Sequence, residues 1–294
     1  MSCRFYKLSG YLFIPSQEMS LFISSLNSGS NGNCYYIGNQ DEAVFIDCGI
    51  SCRETENRMK RLGLPMKRVK AIFVSHEHSD HIYGVPRLSK KYQLPVYITP
   101  PTRQNGNLNL RDDLVLPFRA YEPIRIGNLS VTAFPKFHDA IDPHSFIVEN
   151  DTVKVGVFTD IGQSCVHLVK HFKDCHAAFL EANYDEEMLE TGRYPLGLKN
   201  RIRDGRGHLS NTQALQLFVQ HKASHLNHLF LSHLSKNNNS PKIVKKLFTK
   251  MAGSTEIIIA PRNKETPLYH VRNIQINRLM KLPSQSSQLQ LSLF

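Results

Sequence analysis

The segment Val74-Ser75-His76-Glu77-His78-Ser79-Asp80-His81 puts three imidazoles and the Asp80 carboxylate, four potential metal ligands, into six positions directly after an apolar run with strand character. Imidazole and carboxylate ligands without thiolate suit Zn²⁺ or Mn²⁺, and the sequence does not choose between them. The chemistry this spacing offers is hydrolysis assisted by a divalent cation. In an extended segment His76 and His78 project to one side, while a turn at Ser79 sends Asp80 and His81 toward a second ion. The alternative is a histidine-rich surface turn in a chain with 14 histidines. Against it, His-x-His-x-Asp-His arises by chance on the order of once in a thousand such chains.

Ligands from a loop converge only if rigid elements end beside one another. Short β-branched or aromatic runs bounded by Gly, Asn or Pro predict strands at Leu21–Leu26, Cys34–Ile37, Ala43–Ile46, Ala71–Val74 and Val96–Ile98. A second series follows at Arg125–Ile126, Val131–Phe134, Phe146–Val148, Val153–Phe158, Ala177–Leu180, Leu229–Leu231 and Ile257–Ile259. Helices are predicted at Arg53–Leu62, with Ser51 and Glu54 as a capping box, and at Gln163–His171, Asp185–Glu190, Asn211–His221 and Pro241–Met251. Hairpins early in each half with helices after them predict an α/β sandwich of two packed sheets covered by helices, not an alternating parallel barrel.

The 294 residues, 41% hydrophobic and 21% charged, are enough for a sizeable core and exclude wholesale disorder. No apolar run approaches the roughly 20 residues of a membrane-spanning helix. A net charge of +11 favours polyanionic partners. Cys3, Cys34, Cys48, Cys52, Cys165 and Cys175 form no Cys-x-x-Cys pair and no dense disulfide pattern, so reduced thiols in the cytoplasm are expected. Residues 1–18 read as an extension upstream of a start at Met19.

His-x-His-x-Asp-His after a strand resembles the metal-binding motif of the metallo-β-lactamase superfamily, whose αββα sandwich holds two packed mixed β-sheets flanked by helices. The likeness runs from residue 20 to about 270. It implies that Asp47, at a strand end, orients ligands from behind. It also implies that His76, His78 and His138 hold one ion and Asp80, His81 and His233 another, with Asp160 and a hydroxide between two Zn²⁺ or Mn²⁺ ions that stabilise the attacking and leaving oxygens. Phe179-Leu180-Glu181-Ala182-Asn183 and Gly207-His208-Leu209-Ser210-Asn211 resemble the Glu and His with which the nuclease branch protonates a leaving oxygen. Capping of the next helix is the other reading of His208, but Ser210 or Asn211 makes the better cap. By this likeness Asp80, Glu181 and His208 carry the catalysis.

Within that branch, Ser25–Cys34, Asp47–Ser51, His138–Ala140, Gly207–Asn211 and Leu231–Ser235 are similar to the YycJ group, also called WalJ or VicX. The resemblance implies a metal-dependent exonuclease acting on DNA from the 5′ end, in replication or repair. About seventy residues separate Asp160 from His233, too few for the cap domain of the β-CASP nucleases. There is also no long insertion like the arm of transfer-RNA processors, which leaves RNA processing as the alternative substrate. A non-catalytic regulator is the third reading, and the complete ligand set argues against it.

Two loops read ambiguously. Ser28–Asn33 suits a tight turn or a phosphate contact, and Lys236–Ser240 suits phosphate donors or a cap for the helix at Pro241. His167, His171, His176, His221, His225, His228 and His270 fit no role in the motif set and read as surface or packed histidines. The chain thus divides into an extension (1–18), a hydrolase domain (19–282) and a polar tail (283–294). The tail ends in Gln290-Leu291-Ser292-Leu293-Phe294, which resembles the pentapeptide by which bacterial polymerases and repair proteins bind the sliding clamp.

Overall fold

The computed structural model describes residues 7–8, 11–12 and 20–273. The clamp-type peptide and the whole 283–294 tail lie outside the described residues. So does the 1–18 extension, apart from an antiparallel pair, β1 (Lys7–Leu8) and β2 (Tyr11–Leu12).

In the first sheet β3 (Ser20–Asn27), β4 (Cys34–Gly38) and β5 (Ala43–Ile46) meander antiparallel, and β6 (Val69–Phe73), β7 (Val96–Tyr97) and β8 (Val115–Leu116) then add parallel to β5. Helices α1 (Cys52–Arg61), α2 (Ser79–Ile82), α3 (Val85–Tyr92) and α4 (Pro100–Asn105) fall between these strands. The second half repeats the plan: β9 (Ile124–Ile126), β10 (Leu129–Pro135), β11 (His144–Glu149) and β12 (Lys154–Phe158) are antiparallel, while β13 (Ala177–Glu181), β14 (His228–Ser232) and β15 (Glu256–Ile259) continue parallel. Its helices are α5 (Val166–Phe172), α6 (Glu186–Thr191), α7 (Leu196–Arg203), α8 (Asn211–His221) and α9 (Pro241–Thr249). A last strand, β16 (Tyr269–Arg272), returns to pair antiparallel with β3 in the first sheet.

Alternation along each strand sorts the apolar side chains into three layers. Ile23, Tyr35, Val44, Ile46 and Phe73 of the first sheet meet Val131, Phe146, Val157, Phe179 and Phe230 of the second in the central core. The opposite faces bury Tyr36, Phe45 and Ile72 with Met59 of α1 and Leu88 of α3, and Leu180 and Leu231 with Leu168, Phe218 and Phe248 of α5, α8 and α9. Burial on both faces is why the parallel strands read as unbroken apolar runs.

The predicted strands and five predicted helices are present, Ala43–Ile46 and Asn211–His221 with the expected ends and the others with shifted ones. Ser51 Oγ accepts from Glu54 N at 3.2 Å, but Glu54 takes Arg58 Nε at 2.7 Å, so the expected capping box is only half formed. A complete box closes α8 at Ser210 and Gln213. Ser240 caps α9 without a side-chain hydrogen bond, and Asn239 Nδ2 donates inward to Ala182 O and Asn183 O. The five described cysteines are free thiols.

Candidate metal centre

The parallel strands of both sheets end along one edge of the sandwich, where crevices at the carboxyl ends of strands collect polar side chains. Asp47 follows β5, His76 to His81 follow β6 and run into α2, Asp160 follows β12, Glu181 closes β13 and His233 follows β14. His138 follows β10, and His208 lies just before α8. Asp47, Asp160 and His233 take left-handed backbone (φ 59°, 55° and 55°), which costs a non-glycine residue on the order of 1 kcal/mol and aims each side chain back across its strand end. Gly49 must stay bare, since a Cβ there would meet Asp80 O at 1.6 Å.

The structure brings the seven sequence-predicted ligand residues together. His76 Nε2 and His138 Nε2 lie 3.1 and 3.3 Å from His78 Nδ1. His81 Nε2 is 3.6 Å from Asp80 Oδ2 and 3.1 Å from Asp160 Oδ2, and His233 Nε2 is 3.5 Å from both Asp80 Oδ2 and Asp160 Oδ1. His76, His78 and His138 form one group able to hold a cation, Asp80, His81 and His233 a second, His76, His81 and Asp160 a third, and Asp160, Glu181, His208 and His233 a fourth. A cleft of about 320 Å³ opens onto them, walled also by Ser30, Asp139 and Arg201.

The backing side chains fix which nitrogen faces the cleft. Asp47 Oδ2 accepts from His81 Nδ1 at 2.7 Å and from Ser75 Oγ at 2.7 Å, and Ser75 Oγ in turn accepts from His76 Nδ1 at 2.8 Å. His138 Nδ1 donates to Gly207 O at 3.0 Å and His233 Nδ1 to Glu181 Oε1 at 3.0 Å. The remaining Nε2 atoms therefore face a common space, where each gives a lone pair to a cation once it has shed any proton it carries.

The electrostatics agree with a site made for cations. Burial pushes His76 well down, and His138 to about 3, which keeps both neutral. Burial alone would also lower His81 and His233, but Asp160 and the neighbouring carboxylates outweigh it, raising His81 well above its ordinary value and His233 to about 10. Asp80, despite burial, is drawn down to about 2 by His81 and His233. Asp160 Oδ2 and His233 Nε2 are buried with no hydrogen-bond partner, the state of donor atoms awaiting an ion. The residues present therefore fit divalent cations.

Glu181 stands behind His208. It is fully buried, and its two oxygens accept from His208 Nδ1 (2.8 Å), His233 Nδ1 (3.0 Å), Ile161 N (2.8 Å) and Leu209 N (3.1 Å). It cannot reach a substrate; it orients two histidines. Burial would raise it, yet His208 and His233 hold it down at about 2. His208 lines the cleft with its Nε2 side.

The sequence left the role of the Ser28–Asn33 loop open and did not single out Ser75 or Glu77 as site residues. Asn33 Nδ2 donates to Asp80 Oδ2 at 3.1 Å and Ser28 Oγ accepts from His233 N at 2.8 Å, so the Ser28–Asn33 turn braces the cluster. Ser75 is the relay already described. Glu77, between the two motif histidines, accepts from Ile141 N and Asn105 Nδ2, both at 2.9 Å, and steadies the loop after His138. The histidines set aside by the sequence lie elsewhere: His171 stacks on Phe134 and His270 on Phe22, while His176 packs at a tilt against His225.

The family described as "Beta-lactamase superfamily domain" matches residues 42–233, and the chain belongs to this metallo-β-lactamase superfamily, a fold built around divalent metals. Its relatives include exodeoxyribonuclease YycJ of Bacillus anthracis, 34% identical over 230 residues that cover 77% of this chain and 87% of that protein. Exodeoxyribonuclease WalJ of Streptococcus pneumoniae is 28% identical over 229 residues, covering 76% of this chain and 84% of that protein. The crystal structure of the metallo-β-lactamase fold protein YhfI from Bacillus subtilis shares the fold, with a TM-score of 0.66 at 14% identity over 84% of this chain and 99% of that one.

Proposed function

We propose that this chain is a metal-dependent exodeoxyribonuclease of the cytoplasm that hydrolyses DNA from the 5′ end, in replication or repair. The observation that carries the reading is the pairing of His208 with Glu181 beside the clustered imidazoles and carboxylates, in a chain similar over three quarters of its length to two exodeoxyribonucleases. Two Zn²⁺ or Mn²⁺ ions, when bound, supply an activated water and charge neutralisation at the phosphate. His76, His78 and His138 would hold one, Asp80, His81 and His233 the other, and Asp160 both. Glu181 and Asp47 keep the imidazoles aligned, and His208 Nε2 gives its proton to the departing 3′-oxygen, which leaves poorly without it. The peptide Gln290–Phe294 recruits the enzyme to the sliding clamp, with the polar 283–289 segment as tether.

The test is digestion of end-labelled single- and double-stranded DNA, and of RNA of the same sequence, with Mn²⁺, Mg²⁺ or Zn²⁺ supplied in turn. Mononucleotide release from the 5′ end of DNA supports the reading. Faster cleavage of RNA assigns the chain to RNA processing, and no cleavage with any metal returns it to a regulatory role.

A further inference from the structure

Beside the cleft lies a second hollow, of about 490 Å³, that shares His138 with it. Phe137, Ile141 and Pro143 of the loop between β10 and β11 line it, together with Gln163 after β12 and Arg206 after α7. Phe137 is 47% and Ile141 57% exposed, and Phe137 is the one exposed phenylalanine among the described residues. An aromatic ring next in sequence to a residue of the metal cluster, left open to solvent, has no part in the core. Its position is nevertheless fixed. Gly162 N donates to Phe137 O at 2.6 Å, and the buried Lys136 donates through Nζ to Thr159 O at 2.7 Å. Among the described residues neither the Gln163 amide nor the Arg206 guanidinium has a hydrogen-bond partner, so both donors are available at the hollow.

A flat aromatic face, an aliphatic wall and two uncommitted donors match a nucleobase, which offers π-faces to stack and carbonyl or ring-nitrogen edges to accept. Apolar walls and the Asp204 carboxylate, which also lines the hollow, disfavour a phosphate in the same place. Because His138 belongs to both spaces, a phosphodiester at the metal cluster puts the adjoining base beside Phe137.

We propose that this hollow receives the base of the nucleotide next to the scissile phosphate, with Phe137 as stacking platform and Gln163 and Arg206 at the base edge. The assignment rests on the nuclease reading above. It is tested by steady-state kinetics of the full-length, metal-loaded protein on three substrates: a single-stranded oligodeoxynucleotide, the same oligonucleotide with two abasic residues at each end, and a small nitrophenyl phosphodiester. Phe137→Ala should raise KM on the normal oligonucleotide about 10-fold or more, the range of a lost base stack. It should change little on the other two, and Phe137→Tyr should restore the wild-type KM. Equal loss on both oligonucleotides, or equal processing of both by the wild type, overturns the assignment. A matching fall on the nitrophenyl substrate also overturns it, since Phe137 would then be a prop of the metal cluster. Failure of the nuclease reading looks different, because the wild type then leaves both oligonucleotides uncut and the assignment falls with it.

Discussion

Glu181 and His208 are joined by a 2.8 Å hydrogen bond from Nδ1 to Oε1, and the same oxygen accepts from His233. One buried carboxylate thus sets the orientation of an imidazole at the metal cluster and of the imidazole that faces the leaving group. His208→Ala should slow release of nucleotides from ordinary DNA by about 100-fold. It should slow a nitrophenyl phosphodiester far less, because nitrophenolate departs without a proton. Equal loss on both substrates would make His208 a structural or phosphate-binding residue.

Asp80→Ala should lower hydrolysis by roughly 100-fold or more, since a ligand lost is at least as damaging as a lost backing residue. Asp80 lies in the short helix α2 with its side chain 20% exposed, so its removal leaves no core cavity and the melting temperature should move by only a few degrees, roughly. Thermal melts and rates measured on one preparation separate the two effects, and unchanged activity would refute the metal mechanism.

Protons and metal compete at His81 and His233. In metal-free protein both are raised, His233 to about 10, so the stability gained from Asp160 is complete below the ordinary imidazole range and is lost as pH rises toward 10. Asp80 works the other way: held at about 2, it stabilises above the usual carboxylate range and loses that contribution as pH falls toward 2. Metal binding requires the neutral imidazoles and should release protons, so affinity should rise with pH from 6 to 9 while the metal-free melting temperature declines. Calorimetry in buffers of different ionisation enthalpy, with melts in EDTA, reads both trends; metal affinity that does not vary with pH would contradict this picture.

Deleting Gln290–Phe294 should leave turnover of short oligonucleotides unchanged and abolish binding to purified sliding clamp, measured by surface plasmon resonance. Normal clamp binding by the truncated chain, or its unfolding, would disprove recruitment through this peptide.

The sandwich was legible because both faces of most strands are buried, which leaves uninterrupted apolar runs such as Ala177–Leu180. Strand β8 has only two residues, and the alternating Tyr269-His270-Val271-Arg272 carries too little apolar character to stand out as β16. Helix α3 hides behind Pro86, which starts a helix here instead of breaking one. The residues of the cluster were legible through a motif with unusual local density and a family resemblance. Asn33, Ser75 and Glu77 were not, because their types are common and their role is created by chain segments up to 64 residues away, as for Glu77 and Ile141. Glu181 was placed by its motif, and its four hydrogen bonds show that it holds His233 as well as His208 from behind.

The cluster draws His76, His78, Asp80 and His81 from the first sheet's strand ends and His138, Asp160 and His233 from the second's. Each group that includes a residue of the His76–His81 motif also takes a ligand from the second half. Any cation held there is also a rivet between two halves of the sandwich, so loading should couple their unfolding into one cooperative event, and a chain cut in the loop between β8 and β9 would regain hydrolysis only when its two pieces reassemble.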